Sequence, residues 1–153
     1  MKNNSMAAVW FAARLFLGLV FAYAGYAKLM EPVENFRGIL TQYQIIPYGL
    51  APFIARTFPW IEFIAGVFLT LGYAPRLSAL ILGVMSLGFA IVLSLSHLIY
   101  GSTPASCGCF GVSGFHLTTP QVFILDLLDT AIGFKLFLMK DFPWSLDAWL
   151  KKR

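Results

Sequence analysis

From Leu77 to Ser96 the chain runs for 20 residues without a charge. A helix needs about 20 mostly apolar residues to cross the hydrocarbon core of a bilayer. The span built on this run extends from about Arg76 to Tyr100, and three further runs have comparable length, from about Ala7 to Leu29, from about Pro52 to Tyr73 and from about Thr118 to Lys140. Each carries a few ionisable residues, as expected of helices that turn one side to neighbours and the other to lipid. The composition agrees, with 59% hydrophobic and 12% charged residues, where a soluble domain has about 25% charged. A chain of this kind is an all-α integral membrane protein, and 153 residues suit one domain covering positions 1–153.

The net charge of +4 does not make this a nucleic-acid binder. Its basic residues are scattered singly, apart from Lys151, Lys152 and Arg153, and a surface that tracks phosphates needs a clustered patch. Lys2 ahead of an apolar run has the look of a signal peptide, but the run is longer than the roughly 7–15 residues of an h-region and is broken by Arg14. It reads as the first span.

Between the first two runs, Val33, Phe36, Ile39, Leu40 and Tyr43 recur at helical spacing, with Glu34, Arg37, Thr41, Gln42 and Gln44 between them. This predicts a short amphipathic helix over Val33–Ile46, lying in the interface plane or packed on the bundle. With four spans, Lys2, Arg76, Lys140, Lys151, Lys152 and Arg153 share one side and Lys28, Arg37 and Arg56 the other. The excess of Lys and Arg places both termini in the cytoplasm, and the loop from Gly101 to Leu117 on the outer face. Gly18 and Ala22, and Ser86, Ala90 and Ser94, repeat small residues every four positions, which serves close helix packing.

The outer loop holds the chain's two cysteines, Cys107 and Cys109, two positions apart. Three chemistries fit them. In thiol–disulfide exchange, Gly108 allows the bend that a Cys-x-Cys ring requires, and a strained, exposed disulfide is typically labile or catalytic. In metal binding, Cys107 and Cys109 join His97 and His116 as four zinc or copper ligands. In the third, the disulfide is structural, though so short a loop gains little. Exchange is the favoured reading, and no metal is expected.

Charges inside the bilayer cost about 2.5–3.5 kcal/mol each on insertion scales and are therefore paired or functional. The runs contain Arg14 and Lys28, Arg56 and Glu62, and Asp126 and Asp129. Glu62 falls near the middle of its run, and Asp126 and Asp129 share one helix face at roughly 10–15 Å below the outer surface. One expectation is a set of structural ion pairs, such as Arg14 with Glu62 or Asp129. The other is a proton path or quinone anchor made of Glu62, Asp126, Asp129 and Arg14 beneath the cysteine loop.

Arg14-Leu15 through Gly18, Phe21, Gly25 and Ala27-Lys28-Leu29, then Pro32, Phe36 and Tyr43 to Pro47, resemble the DoxX and MauE group of small four-helix membrane proteins. Pro59, Glu62, Gly66 and above all Cys107-Gly108-Cys109-Phe110-Gly111 point to the MauE branch. The similarity covers nearly the whole chain, and the Cys-Gly-Cys-Phe-Gly loop is its most specific part. The resemblance implies an integral membrane four-helix bundle in the bacterial inner membrane. It also implies a redox role in maturing a periplasmic protein, beside a thioredoxin-like partner and coupled to quinone. The plan is similar to DsbB and vitamin K epoxide reductase, with one departure. Those use two cysteine pairs, whereas this chain has one, so any exchange with a partner is direct. The competing expectations are a non-catalytic membrane scaffold and a metal-handling protein.

Overall fold

The computed structural model describes residues 2–43, 46–101 and 118–139. These form five helices and no strand: α1 (Lys2–Met30), α2 (Val33–Gln42), α3 (Ala51–Leu71), α4 (Pro75–Tyr100) and α5 (Thr119–Leu138). Among the described residues three segments are long and apolar enough to cross a membrane, Met6–Met30, Ala51–Leu71 and Pro75–Ile99. Helix α5 is as long as a span needs, but Asp126, Asp129 and Lys135 set it apart from those three.

Local chemistry explains the boundaries. Helix α3 stops at Gly72, whose left-handed φ of 74° lets the Gly72 and Tyr73 amides bond back to Leu69 and Phe68. That is the usual role of a glycine just past a helix, and it ends α3 two residues before the Tyr73 expected from hydropathy. Pro75 opens α4, where its missing amide hydrogen costs nothing. At the start of α5 the Thr118 amide donates to Gln121 Oε1 at 3.1 Å, satisfying one backbone donor at the helix entrance. Helix α2 begins at Val33 as the periodicity predicts and its last residue is Gln42, short of Ile46.

The long helices pack as two antiparallel pairs. At the α1–α3 seam, a Cβ on Gly66 would collide with the Ala22 amide and come within 2.8 Å of the Gly18 carbonyl, while one on Gly25 would sit 2.5 Å from the Phe63 amide. The two backbones therefore touch, which larger residues would prevent. The α4–α5 seam is built alike, with Gly133 against Ala79 and Gly83. Arg76 Nε closes its lower end by donating to the Phe137 carbonyl at 3.3 Å. Leu17, Phe21, Ala65, Leu69, Ala79, Leu82 and Leu136 join α1, α3, α4 and α5 in one buried cluster.

Helix α2 lies across the end of the molecule where α1 finishes and α3 begins. Its Phe36 and Leu40 pack on Ala51 and Ala55 of α3, and its Ile39, with Tyr43 just beyond the helix, packs on Leu93 of α4. Its other side, with Glu34 and Arg37, is exposed. Outward from the core the long helices present Phe16, Leu19, Trp60, Ile64, Val84, Ile91, Leu127 and Leu128. Apolar residues outside and charged ones inside make a surface suited to lipid rather than water.

Candidate functional site

Among the described residues five charged side chains are buried, Arg14, Lys28, Glu62, Asp126 and Asp129. The seam glycines decide which of them meet. Because Gly25 lies against Pro59 and Phe63, Lys28, one turn further along α1, comes within reach of Glu62 on α3. Lys28 Nζ donates to both Glu62 oxygens, at 2.9 and 2.6 Å, with the two side chains only 1% and 2% exposed. The ammonium also lies 5.1 Å from the Phe36 ring and 5.8 Å from the Phe89 ring. It is thus held by a carboxylate on one side and aromatic faces on others, an arrangement that stabilises a desolvated cation.

Against this pair sits a cavity of about 30 Å³, lined by Lys28 and Glu62 and also by Asp126 and Asp129 from α5, with Phe21 and Phe89 among its apolar walls. Asp126 and Asp129 are 8% and 2% exposed. Asp126 Oδ2 and Asp129 Oδ1 are buried without a hydrogen-bond partner among the described residues. Tyr43, 2% exposed, brings a phenol from the end of α2 under the influence of Asp126. Burial, and secondarily the Asp126 charge, push that phenol up to about 12, so it stays neutral through the physiological range.

The expected partnership of Arg14 with Glu62 is corrected: Glu62 is taken by Lys28. Arg14 is placed well away, about 20 Å along α1 from Lys28 at 1.5 Å per residue, with its guanidinium 5.0 Å from the Phe11 ring. It does not line the cavity, so the structure gathers Glu62, Asp126 and Asp129 but leaves Arg14 out. The contributions of Lys28, Phe36, Phe89 and Tyr43 were missed by sequence reasoning. Lys28 was legible as a rare charge in an apolar run, but its partner depends on the register of α1 against α3.

Cys107, Cys109 and His116 lie outside the described residues. The described residues that flank their segment, Gly101 and Thr118, lie at the same end as Met30 and Ala51, and Asp126 is about 12 Å along α5 from Thr118. His97 is exposed in the last turn of α4. Among the described residues no group of three His, Cys, Asp or Glu side chains is placed to hold a metal ion.

The model of the family described as methylamine utilisation protein MauE matches residues 6–139, almost the whole of the described body. The chain belongs to the MauE family. The methylamine utilization protein MauE of Paracoccus denitrificans is 30% identical over 102 residues, covering 67% of this chain and 54% of that protein. The MauE of Methylophilus methylotrophus is 32% identical over 112 residues, covering 71% and 55%. This MauE-family chain thus spans about half the length of the curated relatives it matches. No solved structure matches it. Family and helices together make it a membrane protein with several apolar helices.

Proposed function

We propose that this MauE-family protein is a thiol–disulfide exchange protein of the bacterial inner membrane that assists maturation of a periplasmic protein used in methylamine metabolism. In this reading α5 is the fourth span. Its outward face is apolar, with Ile124, Leu127, Leu128 and Leu138 exposed, and its aspartates are turned inward, which is the distribution a bundle helix in lipid requires. With both termini cytoplasmic, the segment carrying Cys107 and Cys109 faces the periplasm, where disulfides persist, and α2 lies at that outer interface.

The chemistry is a direct exchange with a thioredoxin-like partner. A thiolate of Cys107 or Cys109 attacks the partner's disulfide sulfur and forms a mixed disulfide. The second cysteine then attacks that bond, leaving an oxidised pair here and a dithiol on the partner; the reverse sequence oxidises the partner. With a single pair, no internal relay intervenes. The observation that carries the reading is the Cys-Gly-Cys pair in a chain of this family.

Membrane quinone is the proposed redox reservoir for the pair, but the cavity is not its site. A cavity of about 30 Å³ has room for about two waters and falls far below the roughly 300 Å³ of a small-molecule pocket. We therefore propose that Glu62, Asp126 and Asp129 do not hold the quinone.

Replacing both cysteines by serine tests the reading: partner oxidation or reduction and growth on methylamine should both be lost, with the protein still in the membrane. The scaffold alternative requires both to survive unchanged. The metal-handling alternative requires stoichiometric zinc or copper that Cys107→Ser removes.

A further inference from the structure

The cavity lies between four helices, and two carboxylate oxygens of its lining residues find no hydrogen-bond partner among the described residues. Asp126 Oδ2 and Asp129 Oδ1 are buried and unpartnered among the described residues, beside an ion pair whose two members already satisfy each other. A buried carboxylate without donors is costly and is relieved by water, by a cation or by a proton. The geometry selects among these. A metal cation needs several oxygen ligands around it, and no such cluster occurs among the described residues, while the Lys28 ammonium lines the same cavity and repels a second cation. Water fits: about 30 Å³ exceeds the roughly 10–15 Å³ that one water needs, and four polar side chains line the space.

We infer that the cavity holds a small water cluster through which Asp126 and Asp129 share and exchange a proton, forming a proton-exchange site inside the membrane-embedded body. The surrounding groups divide into fixed and exchanging. Lys28 of α1 and Glu62 of α3 hold each other by two hydrogen bonds and form the fixed wall. Helix α4 contributes the Phe89 ring. Tyr43, just beyond α2, is a phenol kept neutral by burial and by the Asp126 charge, while the charged Glu34 and Arg37 of α2 are exposed. Asp126 and Asp129, one turn apart on α5, are left as the exchanging pair. The inference rests on the proposed thiol chemistry only for the use of the proton: oxidation of two thiols to a disulfide releases two electrons and two protons, and the pair offers a place for one of those protons within the protein.

Infrared difference spectroscopy of the full chain in lipid nanodiscs, stepped between acid and alkaline pH in H2O and D2O, tests the site. A protonated-carboxyl C=O band should be present, shift down in D2O, lose about half its amplitude in Asp126→Asn and lose the remainder when Asp129→Asn is added. It should persist in the Cys107→Ser/Cys109→Ser variant, so a failure of the thiol reading leaves it intact. A spectrum of the unsubstituted chain with no D2O-sensitive carboxyl band overturns the inference. So does a band that sodium removes at constant pH, which makes the cavity a cation site. A band that survives in the double Asn variant overturns it too, by assigning the proton elsewhere.

Discussion

The Lys28–Glu62 pair makes a quantitative prediction. Lys28→Met keeps most of the aliphatic stem but removes the ammonium, leaving Glu62 with its 2% exposure and no cation 2.6 Å away. Breaking a buried pair from one side typically costs about 3–5 kcal/mol, because the surviving charge is desolvated and uncompensated. The ammonium's contacts with Phe36 and Phe89 are lost in the same step and add up to about 2 kcal/mol where desolvated, so the upper part of that range is expected. Glu62→Met alone strands the ammonium and should cost slightly less, since the two rings still stabilise it. The double variant Lys28→Met/Glu62→Met replaces the pair by apolar side chains of similar length and should recover to within about 1 kcal/mol of the parent, or exceed it. Reversible unfolding of the detergent-solubilised chain, followed by tryptophan fluorescence, gives the four corners of the cycle. Single substitutions that each cost under about 1 kcal/mol and add in the double variant would mean that the pair is hydrated and not shared across the α1–α3 seam.

Two further outcomes are expected. Gly66→Ala forces a methyl against the Ala22 amide and Gly18 carbonyl and should cost about 1–3 kcal/mol in the same unfolding assay, whereas Gly38→Ala in α2 meets nothing within 4 Å and should gain up to about 1 kcal/mol from helix propensity; similar effects of the two would contradict the close approach of α1 and α3. Depleting membrane quinone should shift the disulfide-to-dithiol ratio of Cys107 and Cys109, read by alkylation mass shift, and an unchanged ratio would exclude quinone as their redox reservoir.

Much of this molecule is legible in its sequence because the lipid solvent writes strong rules. The apolar runs mark the long helices to within a few residues at most ends, since Gly72, Pro75 and Thr118 supply stops and starts with clear mechanisms. The small residues at Gly18 and Ala22 mark a packing seam, and the structure places both against Gly66. The inward turn of Asp126 and Asp129 follows from their spacing on α5. What could not be read was who meets whom. Glu62 had several candidate partners, and choosing Lys28 over Arg14 requires the antiparallel register of α1 and α3, a long-range property set by Gly25 opposite Pro59 and Phe63. Tyr43 and Phe36 were visible as the apolar side of α2, but their contact with the charged cluster depends on α2 folding back over the end of the bundle. The size of the cavity leaves no trace in the sequence at all.

Direct thiol–disulfide exchange of Cys107 and Cys109 with a partner passes through a covalent intermediate. Variants retaining only Cys107 or only Cys109 lack a second cysteine of their own to resolve a mixed disulfide, so with the partner's second cysteine also replaced by serine they trap it. Expressed in methylamine-grown cells and run without reductant, at least one of them should migrate as a covalent adduct with a thioredoxin-like protein, and the adduct should vanish on reduction. The absence of an adduct from both variants, with each protein present in the membrane, would contradict the exchange mechanism and favour a scaffold whose cysteines are structural.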